Sequence, residues 1–226
     1  MVFKPKNNIF FLMVQRTDNN RQPITDNWQL SLQRDNSECE LSSCSDGKTI
    51  VVGVTASIAA YKAAEIVSQL RQRGHAVFVI MTQGAKNFIT PLTLQTLSRN
   101  PILENFSEED PSSPCNHIEL ADRADLLLIA PATANTIARL AHGFADDPLS
   151  AVALATRAPL LIAPAMNGKM WEHPATYDNV ERLRSRGVEF IGPASGMLAC
   201  GYEGAGRLME SSTIVDRVEI LLNKNK

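Results

Sequence analysis

"TIVVGVTASIAAYKAAEIVSQLRQRG", residues 49–74, decides the fold. Its opening, "TIVVGVTA", is an apolar run without the polar alternation of a half-exposed strand, so it reads as a strand buried on both faces. The next segment, "SIAAYKAAEIVSQLRQRG", reads as a helix, with Ser57 at its start and Gly74 at its end. The order is buried strand, then helix, and the remaining chain repeats it.

"AVFVIMT" (76–82) is a second strand, followed by a helical region containing "PLTLQTLS" (91–98). "DLLLIAPAT" (125–133) is a third strand and "ANTIARLAHG" (134–143) a helix. "APLLIAPA" (158–165) is a fourth strand and "ATYDNVERLRSRG" (175–187) a helix. "VEFIGP" (188–193) is a shorter fifth strand, and "STIVDRVEILLN" (212–223) closes the chain as a helix. Unbroken apolar strands alternating with helices predict an α/β fold, a parallel sheet covered on both faces. Ligands on such sheets bind at the carboxyl ends of the strands.

Two segments depart from this scheme. "ENFSEEDPSSPCN" (104–116) is polar and acidic, and "ASGMLACGYEGAGR" (194–207) carries Gly196, Gly201, Gly204 and Gly206 around one cysteine. Both are long for α/β connections, and long connections in compact domains tend to be functional. Residues 1–47 are rich in Asn, Gln, Asp, Ser and Arg and show no sustained period, so a disordered or loosely packed extension is expected there, with the domain proper at 48–226.

The 226 residues carry a net charge of −2 and no Lys/Arg cluster, which disfavours nucleic-acid binding through a basic face. The apolar runs are too short for a membrane span, and "NNIFFLMV" (7–14) lacks the core and cleavage site of a signal peptide. The four cysteines, Cys39, Cys44, Cys115 and Cys200, form no CxxC and no zinc set, so neither a metal site nor a disulfide framework is expected. A cytoplasmic setting follows from that reading.

Candidate chemistry gathers at three predicted strand ends. "GVTASIAAYK" leaves the first strand at a helix start, where free N–H groups and a partial positive charge suit a phosphate, and where Thr55 and Ser57 add hydroxyls. A GxGxxG is absent, so the dinucleotide fingerprint fails. Thr82 ends the second strand, and "PATANT" (131–136) ends the third with Thr133, Asn135 and Thr136. Any one of these is as well explained as a helix cap; their agreement favours a phosphorylated ligand at that edge. "PAMNGKMW" (164–171) then puts a neutral amide, Asn167, at the fourth strand end, with Met170 and Trp171 close behind. His117 opens "HIELADRAD" just ahead of the third strand, whereas His75, His142 and His173 read as helix-end or packing residues.

Taken together, "PAMNGKMW", "HIEL", "PATANT" and "LACG" make the stretch from about residue 48 to 222 resemble the homo-oligomeric flavin-containing cysteine decarboxylases, most closely the branch that serves coenzyme A biosynthesis. The resemblance implies a three-layer, doubly wound, Rossmann-like flavoprotein that binds FMN and assembles as homotrimers or dodecamers, with flavin and substrate near subunit contacts. It implies a carboxy-lyase acting on 4′-phosphopantothenoylcysteine. Matched motif by motif, the FMN positions are Ala56, Ser57, Ile58, Thr82, Thr133, Ala134, Asn135, Thr136 and Ala165. His117, Asn167 and Cys200 fall at catalytic positions, Asn167 and Met170 at substrate positions. Three residues depart from the family's pattern: Ala56 for glycine, Pro148 for leucine, and Tyr202 for an acid. A relative that decarboxylates peptide C-termini stops at the enethiol, which the presence of Cys200 disfavours. A non-catalytic phosphatase regulator usually carries a long acidic extension, which residues 1–47 are not. A flavin prenyltransferase-like enzyme would not need "PAMNGKMW".

Overall fold

The computed structural model describes residues 47–106, 116–197, 201 and 203–224, all within the unit Ser43–Lys226. The expected extension, apart from Gly47, lies outside the described residues, as do all four cysteines and Tyr202.

The main sheet has six parallel strands in the order β3-β2-β1-β4-β5-β6. These are β1 (Thr49–Val54), β2 (Ala76–Met81), β3 (Ile102–Leu103), β4 (Leu126–Ala132), β5 (Leu160–Pro164) and β6 (Glu189–Phe190). The helices are α1 (Lys62–Gln72), α2 (Pro91–Ser98), α3 (His117–Arg123), α4 (Ala134–His142), α5 (Pro148–Ala155), α6 (Gly168–Trp171), α7 (Pro174–Ser185) and α8 (Ser211–Lys224). A separate antiparallel pair, β7 (Ala194–Met197) and β8 (Glu203–Arg207), occupies the glycine-rich segment.

Side chains alternate across each strand, and that alternation builds two cores. Ile50, Val52 and Val54 of β1 join Ile66, Leu70, Leu94 and Val215 on the face covered by α1, α2 and α8. Val51 of the same strand joins Leu120, Ile137, Val152 and Leu183 beneath α3, α4, α5 and α7. The expected three-layer, doubly wound arrangement is therefore observed. Each large aliphatic side chain fully withdrawn from water contributes about 1.5–3 kcal/mol, so the two cores carry the stability.

The order of strands reverses between β1 and β4, which pair directly. At such a switch point the loops after the two strands part and leave a crevice. β4 also carries a register shift against β5 between Ile129 and Ala132, where Pro131 has no N–H to give the ladder.

Two expectations need correction. The first helix begins as a tight 3-10 turn over Ile58–Tyr61, and α-helical hydrogen bonding starts at Lys62. The sheet has a sixth strand, the two-residue β3, too short to show as an apolar run. His117 opens a helix of its own, capped by the Asn116 side chain accepting from the Ile118 N–H at 2.9 Å. His75 lies beside a helix end as expected, but it is buried: Nε2 sits 2.8 Å from Glu219 of α8, and Nδ1 accepts from the Lys48 N–H at 3.3 Å. On the other flank of α8, Arg217 hydrogen-bonds Glu189 at the start of β6 and holds that carboxyl below the usual glutamate range.

Candidate functional site

The crevice at the switch point is a cavity of about 620 Å³, within the size range of small-molecule and cofactor sites. Four hydrogen bonds between strand ends set its shape. Thr55, just past β1, is buried; its hydroxyl donates to the Pro131 carbonyl at 2.8 Å and accepts from the Thr133 N–H at 3.1 Å. Ser57 donates to the Ala165 carbonyl at 3.3 Å and accepts from the Ala59 N–H at 3.3 Å. The Met166 N–H donates to the Gly206 carbonyl at 2.9 Å. The ends of β1, β4 and β5 and the hairpin are thus tied to one another before any ligand is considered.

Thr55 therefore serves the scaffold instead of offering a free hydroxyl. Thr55→Val keeps the shape of the side chain and deletes both bonds, leaving a buried carbonyl and a partly buried N–H without their partner. We expect a stability loss of about 1–3 kcal/mol in denaturant unfolding; an unchanged midpoint would show that the two strand ends hold their places without Thr55.

Most of the sequence-derived cofactor positions line the cavity: Ala56, Ser57, Ile58, Thr133, Ala134, Asn135 and Ala165. Asn167 and Met170 line it as well. Asn167 caps α6, its side-chain oxygen accepting from the Lys169 N–H at 2.9 Å. Two positions do not line it. Thr136 is buried behind the wall, its hydroxyl 3.1 Å from that of Thr133. Thr82 lines a smaller neighbouring cavity of about 130 Å³ together with Phe106 and Leu149.

His117 is also absent from the wall of the large cavity. It stacks edge-on against Phe106, with ring centroids 5.1 Å apart, so within one chain it stands on the side of the smaller cavity. Trp171 is a further correction. Successive helical residues point about 100° apart, so α6 turns Met170 to the large cavity and Trp171 away from it. The indole packs on the α7 side of the sheet and lines an outer groove with Tyr177 and Arg184. Of the two side chains that follow Asn167, Met170 alone lines the large cavity, and it is half exposed.

Cys200 lies outside the described residues, but the strands on either side of it, β7 and β8, are described. β7 and β8 pair as a hairpin whose Met197, Gly206 and Arg207 form part of the cavity wall. Gly206 allows close approach: a Cβ placed there would lie 2.3 Å from the Met166 carbonyl oxygen. The departure at Ala56 also has a local answer, since its methyl faces Gly84, where a second Cβ would come within 2.7 Å. Pro148 takes the first position of α5, where no N–H is required, behind an Asp147–Ser150 capping box.

Sequence reasoning missed Lys62 and Arg207, which bring two positive charges to the wall. Among the described residues that line the cavity there is no carboxylate. Among the described residues no group of three or more His, Cys, Asp or Glu could hold a metal ion, and no helix is long and apolar enough to cross a membrane.

A family model described as "Flavoprotein" matches residues 38–223. A probable phosphopantothenoylcysteine decarboxylase of Streptococcus mutans is 51% identical over 174 residues, covering 76% of this chain and 97% of that protein. The coenzyme A biosynthesis bifunctional protein CoaBC of Escherichia coli is 49% identical over 170 residues, and there the match spans only 42% of the longer protein. Among solved structures, a cysteine-to-serine mutant of PPC decarboxylase complexed with pantothenoylaminoethenethiol superposes with a TM-score of 0.70 at 29% identity, covering 78% of this chain and 99% of that one. The FMN-dependent cysteine decarboxylase SpaF follows with a TM-score of 0.67 at 28% identity, covering 80% and 98%. With the family model spanning the whole described sheet and half of the aligned residues shared with a relative of almost the same extent, the chain belongs to the Flavoprotein family.

Proposed function

We propose that this protein is a carboxy-lyase that uses FMN to convert 4′-phosphopantothenoylcysteine to 4′-phosphopantetheine, a step of coenzyme A biosynthesis. One observation carries the reading: residues expected at a flavin, Ser57 and Thr133 to Asn135, line the same cavity as Asn167 and Met170, which are expected at the substrate. The 51% identity to a relative named for this activity, over 97% of its length, supports the substrate.

The wall suits the cofactor. Ala56, Ala134 and Ala165 leave room for a flat ring, and the neutral donors at two strand ends suit a phosphate and the polar edge of a flavin. Those residues would hold FMN. Direct loss of CO2 from an N-acylated cysteine leaves a carbanion with nowhere to place its electrons. When bound, FMN supplies reversible two-electron oxidation of the substrate's CH2–SH to C=S, which gives those electrons a sink.

The chain's own residues do the rest. The neutral amide of Asn167 orients the carboxylate without stabilising a charge that must disappear, as catalysis requires. Met170 excludes water from that end. Cys200 supplies the proton that, together with the return of the two borrowed electrons, turns the enethiolate into the saturated product. His117 serves as base. In a homo-oligomer, trimeric or dodecameric, the His117 face of one copy would meet the cavity of another. Supporting that arrangement, Ile58 and Tyr61 on the cavity wall are each 60% exposed, and Phe106 and Ile118 beside His117 are 40% and 48% exposed.

The test is direct. Purified full-length protein should show flavin absorbance, assemble as a multiple of three chains, and yield 4′-phosphopantetheine by mass detection when given 4′-phosphopantothenoylcysteine. A colourless protein that takes up no FMN, or a flavin-loaded one that leaves the substrate intact, would overturn the reading.

A further inference from the structure

The cavity wall carries two kinds of polar group. Its strand-end donors are neutral, while Lys62 at the start of α1 and Arg207 at the end of β8 are cationic. Both cations are gathered by Glu210: Lys62 Nζ lies 3.3 Å from Oε2, and Arg207 Nη2 lies 2.6 Å from Oε1. Glu210 is itself off the cavity wall. The Lys62 side chain is only 14% exposed, so its charge is poorly screened by water. Two cations held by one carboxylate leave one positive charge over. An ammonium offers three N–H donors and a guanidinium five, far more than Glu210 can occupy. In a chain of net charge −2, this is a local, built concentration of positive charge facing a cavity.

We propose that Lys62 and Arg207 form the subsite for the phosphate ester of the substrate, a reading that rests on the proposed decarboxylation. The substrate carries two anionic groups with opposite needs. Its carboxylate must lose its charge, and a cation there would stabilise the ground state. Its phosphate keeps its charge throughout the reaction. Binding energy taken at that remote group can hold the reacting end in place at no cost to the chemical step. The neutral amide of Asn167 and the cations at residues 62 and 207 divide the two tasks in the way this chemistry requires. Glu210 keeps both cations at one point, so that a phosphate meets them together.

The experiment compares ligands that differ only in the phosphate. Binding of 4′-phosphopantetheine and of pantetheine to flavin-loaded, full-length protein is measured by calorimetry for the wild type, Lys62→Gln, Arg207→Gln and the charge-preserving Lys62→Arg. The wild type should prefer the phosphorylated ligand. Each Gln variant should weaken it by about 10- to 100-fold, the range for a lost charge-assisted hydrogen bond. Pantetheine binding and the flavin-to-protein ratio should stay constant, and Lys62→Arg should restore most of the preference. Loss of flavin with the preference intact would assign the cations to the cofactor's phosphate and overturn the proposal, as would equal weakening of both ligands. Protein with this binding pattern that releases no CO2 from 4′-phosphopantothenoylcysteine would overturn the decarboxylase reading and leave the subsite standing. Active protein indifferent to the phosphate would do the reverse.

Discussion

Gly206→Ala should cripple the site while leaving the sheet folded. The added Cβ would lie 2.3 Å from the Met166 carbonyl oxygen, 3.2 Å from the Gly168 nitrogen and 3.4 Å from the Asn167 carbonyl carbon. All three are backbone atoms, so no side chain can swing aside. The φ of 152° at Gly206 adds a backbone conformation that alanine adopts poorly. Overpacking and strain together should cost about 2–5 kcal/mol in unfolding free energy. The larger effect is on turnover. To relieve the clash, the hairpin must move off the turn that carries Met166 and Asn167, and a shift of about 1 Å in a positioning group can cost about 100-fold in rate. Gly187→Ala is the control: φ there is 86°, but nothing lies within 4 Å of the added carbon. It should lose about 1–2 kcal/mol from the backbone alone and keep its activity. Equal turnover in the two variants would mean that the contact of Gly206 with the Met166–Gly168 turn does not position the substrate end.

The same contact shows why the sequence disclosed some parts of this molecule and hid others. β1, β2, β4 and β5 are long enough to be read as apolar runs, because a strand buried on both faces has no polar positions to spare. β3, with two residues on the sheet edge, has no such pattern. The hairpin β7–β8 reads in sequence as a long glycine-rich connection, whereas at Gly206 the absent side chain serves a close approach, which no composition can reveal. Thr55 and Thr133 both looked like ligand hydroxyls; only the fold shows that the first is consumed holding the backbone of the second. The Met170–Trp171 pair was divided by helical geometry. Lys62 and Arg207 acquire meaning only when the hairpin folds back beside α1, a contact far from local in sequence. His117 was legible as a residue type but not as a place, since one chain sets it beside Phe106 and away from the large cavity.

Cys200→Ser should abolish formation of 4′-phosphopantetheine and replace it with the enethiol, lighter by one pair of hydrogen atoms in the mass spectrum. Once the carboxyl group has left, the substrate carbon is part of an enethiolate, and it becomes saturated only if a proton is delivered as electrons return. A thiol, with an ordinary pKa of about 8.5, gives up a proton at neutral pH far more readily than the serine hydroxyl that would replace it. In sequence, Cys200 is three residues beyond Met197, which lines the cavity. The solved cysteine-to-serine mutant of PPC decarboxylase holds pantothenoylaminoethenethiol, a compound of the class expected to accumulate here. CO2 release in the first turnover should survive the substitution, because the carboxyl group departs before the proton is needed. That separation makes the result diagnostic. If CO2 and 4′-phosphopantetheine fall together, Cys200 acts earlier, on binding or oxidation; if the saturated thiol still forms at the wild-type rate, the proton comes from another group and the role given to Cys200 is wrong.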